Sequence, residues 1–243
     1  MSPRSGLDAV DPTELRARLD AGLAQMSPEI AERLDEAARD LLIRYLRLLA
    51  RWNQAYNLTA IRDPREQVAR HLLDSLAVLP WVTRGPVLDL GTGAGLPGIP
   101  LAIARPELTF ILLDSNGKKT RFVRQAVLAL GLEHVDVIQI RLEAYRPERK
   151  FATIVARALA SLPSLCASAQ RLSAADGCLL ALKGRLAEDE LASLIASRSS
   201  AESDASLAAE TRRGGPRLHP LVVPGVDGER FLIEVPLDGS IHG

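Results

Sequence analysis

The sequence predicts an α/β fold, a mostly parallel seven-stranded sheet with helices on both faces and a helical extension ahead of it. Two observations carry this expectation. Beyond residue 85, short apolar runs at 86–90, 109–113, 135–140, 151–156 and 178–182 alternate with helical patterns near 97–105, 118–130, 161–172 and 187–197. Runs that are apolar throughout mark strands buried on both faces, and crossovers of this length mark parallel βαβ units. Near the end, 218–223 and 230–235 flank a Pro/Gly turn at 224–228, which adds an antiparallel hairpin at one sheet edge.

Ahead of the sheet, residues 12–84 read as a helical extension packed on the core. From Pro12 to about Trp52 the pattern is helical: Ala38, Leu41, Leu42, Tyr45, Leu46, Leu49 and Trp52 form one apolar stripe, with Asp40, Arg44, Arg47 and Arg51 opposite. Ser27-Pro28 reads as an N-cap followed by a first-position proline, and a second helical stretch covers 64–82. Residues 1–11 read as a frayed terminus. The main domain spans 85–238, with the small, polar stretch 198–217 as a mobile insertion.

Composition narrows the function. A chain of 243 residues, 47% hydrophobic, can bury one full-sized core. With 30 basic and 30 acidic residues there is no bulk charge to attract a polyanion, so any nucleic-acid site must be a local patch. The two cysteines, Cys166 and Cys178, exclude a disulfide scaffold and lack the spacing of a metal site. No apolar run approaches ~18 residues, and the N-terminus lacks the apolar core of a signal peptide. A soluble, cytoplasmic protein without membrane contact is therefore expected; a monomer is the default expectation, since the sequence carries no signal of oligomeric state.

The stretch at 87–98, VLDLGTGAGLPG, holds four glycines, at 91, 93, 95 and 98, directly after the first predicted strand. Glycine tolerates positive φ and lets backbone approach a ligand closely. A Walker-type phosphate loop is excluded: Gly-Lys-Ser/Thr is missing, and prolines stand at 97 and 100. Read from Gly93 the stretch fits a dinucleotide fingerprint, yet Asp89 would then lie close to a pyrophosphate, an unfavourable neighbour for a carboxylate. S-adenosylmethionine carries an ammonium and a sulfonium, which suit an acid at a strand end, while loop N–H groups can take its carboxylate. Asp114 closes the second predicted strand, where a carboxylate can accept both ribose hydroxyls of an adenosine. It serves either cofactor; the alternative is a helix N-cap.

The segments WNQAYNLT (52–59), RHLLDS (70–75), DLGTGAGLPGIP (89–100), LLDS (112–115), RALAS (157–161), ALKG (181–184) and DGER (227–230) together closely resemble the small-subunit ribosomal RNA methyltransferase G family, also called glucose-inhibited division protein B. The resemblance runs in order from about residue 38 to 236. It implies a Class I S-adenosylmethionine-dependent methyltransferase fold, Rossmann-like, that methylates N7 of one guanine in the 530 loop of 16S ribosomal RNA within the small subunit or its assembly intermediate. Carried over by motif, the cofactor contacts are Gly91, Leu96, Leu142, Glu143 and Arg157; Asp89, Gly93 and Asp114 join them from the physical reading of the loop.

Guanine N7 bears a lone pair and no proton at neutral pH, so its methylation needs in-line placement rather than a general base. The sequence accordingly offers no obvious acid/base pair, and Arg157 is expected to position a ligand. The Asn/Asp-Pro-Pro-Tyr pattern of amino-group methylation is absent at 155–158, which reads VARA. For RNA, Lys118, Arg121 and Arg124 form a basic stripe on the helix after Asp114, with no acid from 115 to 132, and Lys183 follows the fifth strand. Arg62, Arg65, Arg70 and His71 make a second cluster, in which His71 reads as a packed, hydrogen-bonded residue. Trp52 and Tyr56 read as anchors of the N-terminal helix. The competing readings are a small-molecule methyltransferase, a dinucleotide-dependent oxidoreductase, and a non-catalytic RNA-binding factor.

Overall fold

The computed structural model describes residues 11–157, 161–184 and 215–237. Seven strands form one sheet: β1 (Val87–Leu90), β2 (Phe110–Asp114), β3 (Val135–Gln139), β4 (Phe151–Arg157), β5 (Ser173–Lys183), β6 (Arg217–Pro220) and β7 (Phe231–Pro236), in the order β3-β2-β1-β4-β5-β7-β6. The first five pair in parallel, and β7 runs antiparallel to both β5 and β6. This is the expected mostly parallel sheet with its edge hairpin. β1 has β2 on one side and β4 on the other, so the chain leaves it in opposite directions. Ligands of open α/β sheets bind at such a switch point, beyond the carboxyl ends of the strands.

The central strands form because their residues have apolar neighbours on both faces. In β1, Val87 joins one core cluster while Leu88 and Leu90 join the other, as the two-residue strand period requires. The first face is covered by α1 (Pro12–Leu23), α2 (Pro28–Glu32), α3 (Glu36–Tyr56), α6 (Gly98–Ala104) and α7 (Gly117–Leu130), and the second by α8 (Leu162–Leu172). Leu15, Leu19, Leu42, Tyr45, Leu46 and Leu49 lie in the same cluster as Phe110, Phe122, Val155, Leu180 and Leu232. The N-terminal helices thus complete the core of the sheet rather than building one of their own.

The helical run from Pro12 to Trp52 proves to be three helices. Asp11 caps α1 through Thr13 N–H, and Asp35 caps α3 through Ala38 N–H at 2.8 Å. Ser27 stands at the N-cap of α2 without a side-chain bond. The stretch after Asp63 is α4 (Pro64–Gln67), a π-helical segment (Val68–Leu73), α5 (Asp74–Leu76) and a 3-10 turn (Leu79–Trp81). β5 starts five residues before the expected 178, because α8 passes at Ser173 directly into extended backbone (ψ 144°). Cys178 therefore lies within β5, opposite Thr153, rather than at its start, and Cys166 lies in α8. The expected helix at 187–197, most of the insertion at 198–217 and residues 1–10 lie outside the described residues.

Candidate cofactor and acceptor site

The loop from β1 to α6 is wound by three glycines with positive φ, Gly91 (67°), Gly93 (60°) and Gly95 (92°). Gly98 is required for a different reason. A Cβ there would stand 2.2 Å from Leu112 Cδ2 and 2.6 Å from Asp89 Oδ2. From the far side Tyr45 of α3 supports the loop, its hydroxyl donating to Ala94 O at 2.7 Å.

Asp89 is fully buried. Its Oδ2 accepts from Thr92 Oγ1 at 2.6 Å and from Gly98 N–H at 2.8 Å, while Oδ1 is buried with no hydrogen-bond partner. Burial pushes this carboxyl up to about 6, against the pull of the Thr92 and Gly98 bonds. The sequence reading places Asp89 against the cationic groups of a ligand. In the structure the loop closes over it, so that it fastens the loop and only Oδ1 has capacity to spare.

Asp114 ends β2. Its Oδ2 accepts from Gly93 N–H at 2.9 Å and its Oδ1 from Asn116 N–H at 2.7 Å. The cap of α7 is Asn116, which accepts from Lys118 and Lys119 N–H, so Asp114 is not the N-cap. A carboxylate offers about four lone-pair sites, and two are in use. Next to it a cavity of about 300 Å³ opens at the carboxyl ends of β1, β2 and β3, lined among others by Gly91, Asp114, Ser115, Leu142, Glu143 and Ser164. Leu142 and Glu143 reach it from a 3-10 turn (Leu142–Ala144) after β3.

Four of the expected cofactor residues, Gly91, Asp114, Leu142 and Glu143, thus meet on one cavity. The others do not line it: Leu96 is a core residue, Gly93 acts from behind through Asp114, and Asp89 is enclosed.

Arg157, at the end of β4, turns toward the N-terminal segment. Its Nη1 donates to Asp74 Oδ2 at 3.2 Å and to Arg70 O at 3.3 Å. Arg230, just before β7, donates from Nε to Asp74 Oδ1 at 3.1 Å. Asp74 and Arg230 lie in two of the segments that carry the family resemblance, RHLLDS and DGER, without a role that the sequence assigns. No local pattern pairs residues that lie 83 and 156 positions apart. His71, in the π segment, is packed as expected. Its Nδ1–H donates to Arg70 O (3.1 Å) and its Nε2 accepts from Thr59 Oγ1 (3.0 Å). Burial, and next the charge of Arg157, hold it down at about 4, so it is neutral at physiological pH.

Lys118, Arg121 and Arg124 are exposed along α7, and Arg124 donates to Val137 O at 3.3 Å. Between α7 and the edge strand β3 lies a hollow of about 430 Å³ lined by Gly117, Arg121, Arg124, Gln125, Leu128 and Gln139. Lys183 ends β5, partly buried, opposite Phe231 of β7. Trp52 packs against Phe122 of α7 (centroids 5.7 Å apart) and stacks with Tyr56 (5.2 Å). Among the described residues no cluster of three or more His, Cys, Asp or Glu could hold a metal, and no helix is long and apolar enough to cross a membrane.

These features agree with what the chain resembles. A protein of Alkalilimnicola ehrlichii named Ribosomal RNA small subunit methyltransferase G is 54% identical over 200 residues, 82% of this chain and 84% of its own. Proteins of the same name from Legionella pneumophila and Xanthomonas campestris are 43% and 45% identical, covering 92% and 95% of this chain and 96% and 99% of theirs. The solved structure of the S-adenosylmethionine-dependent methyltransferase SibL in its apo form shares the fold at 17% identity, with a TM-score of 0.52, covering 83% of this chain and 70% of that one. The sheet order is that of a Class I methyltransferase. The family model for rRNA small subunit methyltransferase G (GidB) matches residues 38–213, and the chain belongs to that family of methyltransferases.

Proposed function

We propose that the protein transfers a methyl group from S-adenosylmethionine to N7 of a single guanine in the 530 loop of 16S ribosomal RNA, acting as a cytoplasmic monomer on the small subunit or its assembly intermediate. The observation that carries the reading is the cavity at the switch point, in a member of this family, where Gly91, Asp114, Leu142 and Glu143 converge on a space sized for a nucleoside.

The residues present fit the cofactor. Asp114 keeps two acceptor sites for a ribose diol, and Leu142 offers an apolar surface to a base. When bound, S-adenosylmethionine supplies an electrophilic methyl group on a sulfonium. The protein's share is placement. The glycine loop fixes the cofactor end of the reaction and is itself fixed by Asp89, Asp114 and Tyr45. The carboxyl ends of β4 and β5 place Arg157 and Lys183 on the neighbouring edge, where the acceptor would lie. No residue has to remove a proton from N7. His71, neutral and bonded at both ring nitrogens, is committed to structure rather than to proton transfer.

The test is methyl transfer from radiolabelled S-adenosylmethionine to unmodified small subunits and to their stripped RNA, followed by chemical cleavage at 7-methylguanosine. One labelled guanine in the 530 loop is the expected result. Tight cofactor binding with no label in either substrate would discard the acceptor, and label elsewhere would discard the site. The small-molecule alternative is not favoured, since relatives covering most of the chain are named for ribosomal RNA.

A further inference from the structure

Two arginines from distant parts of the chain meet on one nearly enclosed carboxylate. Asp74 opens α5 with 9% of its surface exposed. Each of its oxygens holds a different guanidinium, Oδ2 that of Arg157 and Oδ1 that of Arg230. Both arginine side chains remain 23% exposed. Backbone carbonyls complete the arrangement, Arg70 O for Arg157 and Glu229 O for Arg230, at 3.3 and 2.9 Å.

A tie between the N-terminal segment and the sheet would need one cation on one anion. Here two cations share one anion, so the cluster keeps a net positive charge. A guanidinium has five N–H donors in a planar fork. Among the described residues, neither arginine uses Nη2, and Arg157 does not use Nε. Arg157 ends β4, the strand next to the one that leads into the glycine loop, and Arg230 stands just before β7. Guanidinium forks of this kind match phosphate oxygens.

We propose that Asp74 is a positioning residue for the acceptor: it orients Arg157 and Arg230 so that their free guanidinium edges grip a phosphate of the RNA beside the target guanine. This rests on the RNA-methylating reading above. It also resolves a conflict of sign, because an acid at an RNA-binding edge repels the ligand and is useful there only through the geometry it imposes on its neighbours.

The test uses the full chain with unmodified small subunits, and two variants. Asp74→Asn removes an anion, so electrostatics alone would make RNA binding tighter and activity at least equal. Positioning predicts instead that kcat/KM for subunits falls about 10- to 100-fold, the scale of a misplacement of about 1 Å, while the S-adenosylmethionine Kd changes less than about two-fold. Arg230→Gln removes one phosphate contact. The slope of log K for stripped small-subunit RNA against log salt should then flatten by about 0.7 to 0.9.

Unchanged kcat/KM in Asp74→Asn would overturn the proposal, as would a loss explained by the unfolded fraction in a melt at the assay temperature. A cofactor Kd weakened in proportion would assign the pair to the cofactor and equally overturn it. An unchanged salt slope in Arg230→Gln, with weaker binding, would assign the contact to a base edge and overturn the phosphate. If Asp74→Asn does not fold, Arg230→Gln carries the same criteria. Failure of the unaltered protein to label RNA would instead sink the underlying function.

Discussion

Asp89→Asn removes a charge that the fold encloses completely, and its effect on stability can be worked out with its sign. In the folded protein burial raises this carboxyl from 3.8 to about 6. At 1.36 kcal/mol per pH unit, that difference is about 3 kcal/mol. The folded state holds the proton more tightly than the unfolded chain, so between pH 3.8 and 6 the unfolded chain binds fewer protons. Stability contributed by this group therefore falls as pH rises through that window, and the whole cost is present above pH 6. Asparagine keeps an acceptor for Thr92 and Gly98 and is neutral throughout.

The stability of Asp89→Asn minus that of the unaltered protein should accordingly rise by about 2 kcal/mol from pH 4 to pH 7, since part of the change lies below pH 4. An offset of about 1–3 kcal/mol, for an amide placed where Oδ1 has no partner, is the same at every pH. Urea unfolding of both proteins at pH 4, 5, 6 and 7, followed by circular dichroism, measures the difference directly. The subtraction matters because His71 acts in the opposite direction. Its pKa is depressed to about 4 from 6.5, so its contribution grows as pH rises across nearly the same window. The two largely cancel in the unaltered protein and separate only in the difference. A difference that stays flat from pH 4 to pH 7 would refute the picture of Asp89 as a buried, strained anion.

Three further outcomes are expected. Asp114→Ala strands the N–H groups of Gly93 and Asn116 and should weaken S-adenosylmethionine by about 1–3 kcal/mol in calorimetry; unchanged affinity would remove Asp114 from the cofactor site. Lys118→Ala combined with Arg121→Ala should weaken RNA binding and flatten its salt dependence while sparing the cofactor, and an equal collapse of cofactor affinity would make the α7 stripe structural. Gly98→Ala drives a methyl group into Leu112 and Asp89 and should cost at least about 1–3 kcal/mol in urea unfolding. A midpoint like that of the unaltered protein would show that the loop can give way.

The central strands of the sheet were legible because each is a short apolar run, and a run buried on both faces looks the same in sequence as in space. β1 to β4 fall within a residue or so of their expected bounds. The breaks in the N-terminal helices were harder to see, since the apolar pattern continues through them; Asp35, whose side chain starts α3, reads in sequence as one more surface acid. The early start of β5 was hidden by Asp176 and Gly177, which interrupt any apolar run. In the site, the glycines and Asp114 could be read from their place after strands. Asp89 could not be fully read, because an acid in that motif looks the same whether it faces a ligand or fastens the loop. The Asp74 cluster was invisible for a plainer reason: its members come from three separate segments, and only folding makes them neighbours.

The π-helical segment at Val68–Leu73 leads directly into Asp74. A π turn takes up about one residue more than an α turn, and one residue of an α-helix is about 100° of rotation. The bearing of the Asp74 carboxylate is therefore set by a count of residues upstream of it, and not by the identity of any one of them. Excising a single residue from this segment would let the helix close to ordinary pitch and swing the carboxylate off both guanidiniums, with every contact residue still present. In this helix, chain length itself aims a side chain, and a deletion there is a different kind of lesion from any substitution.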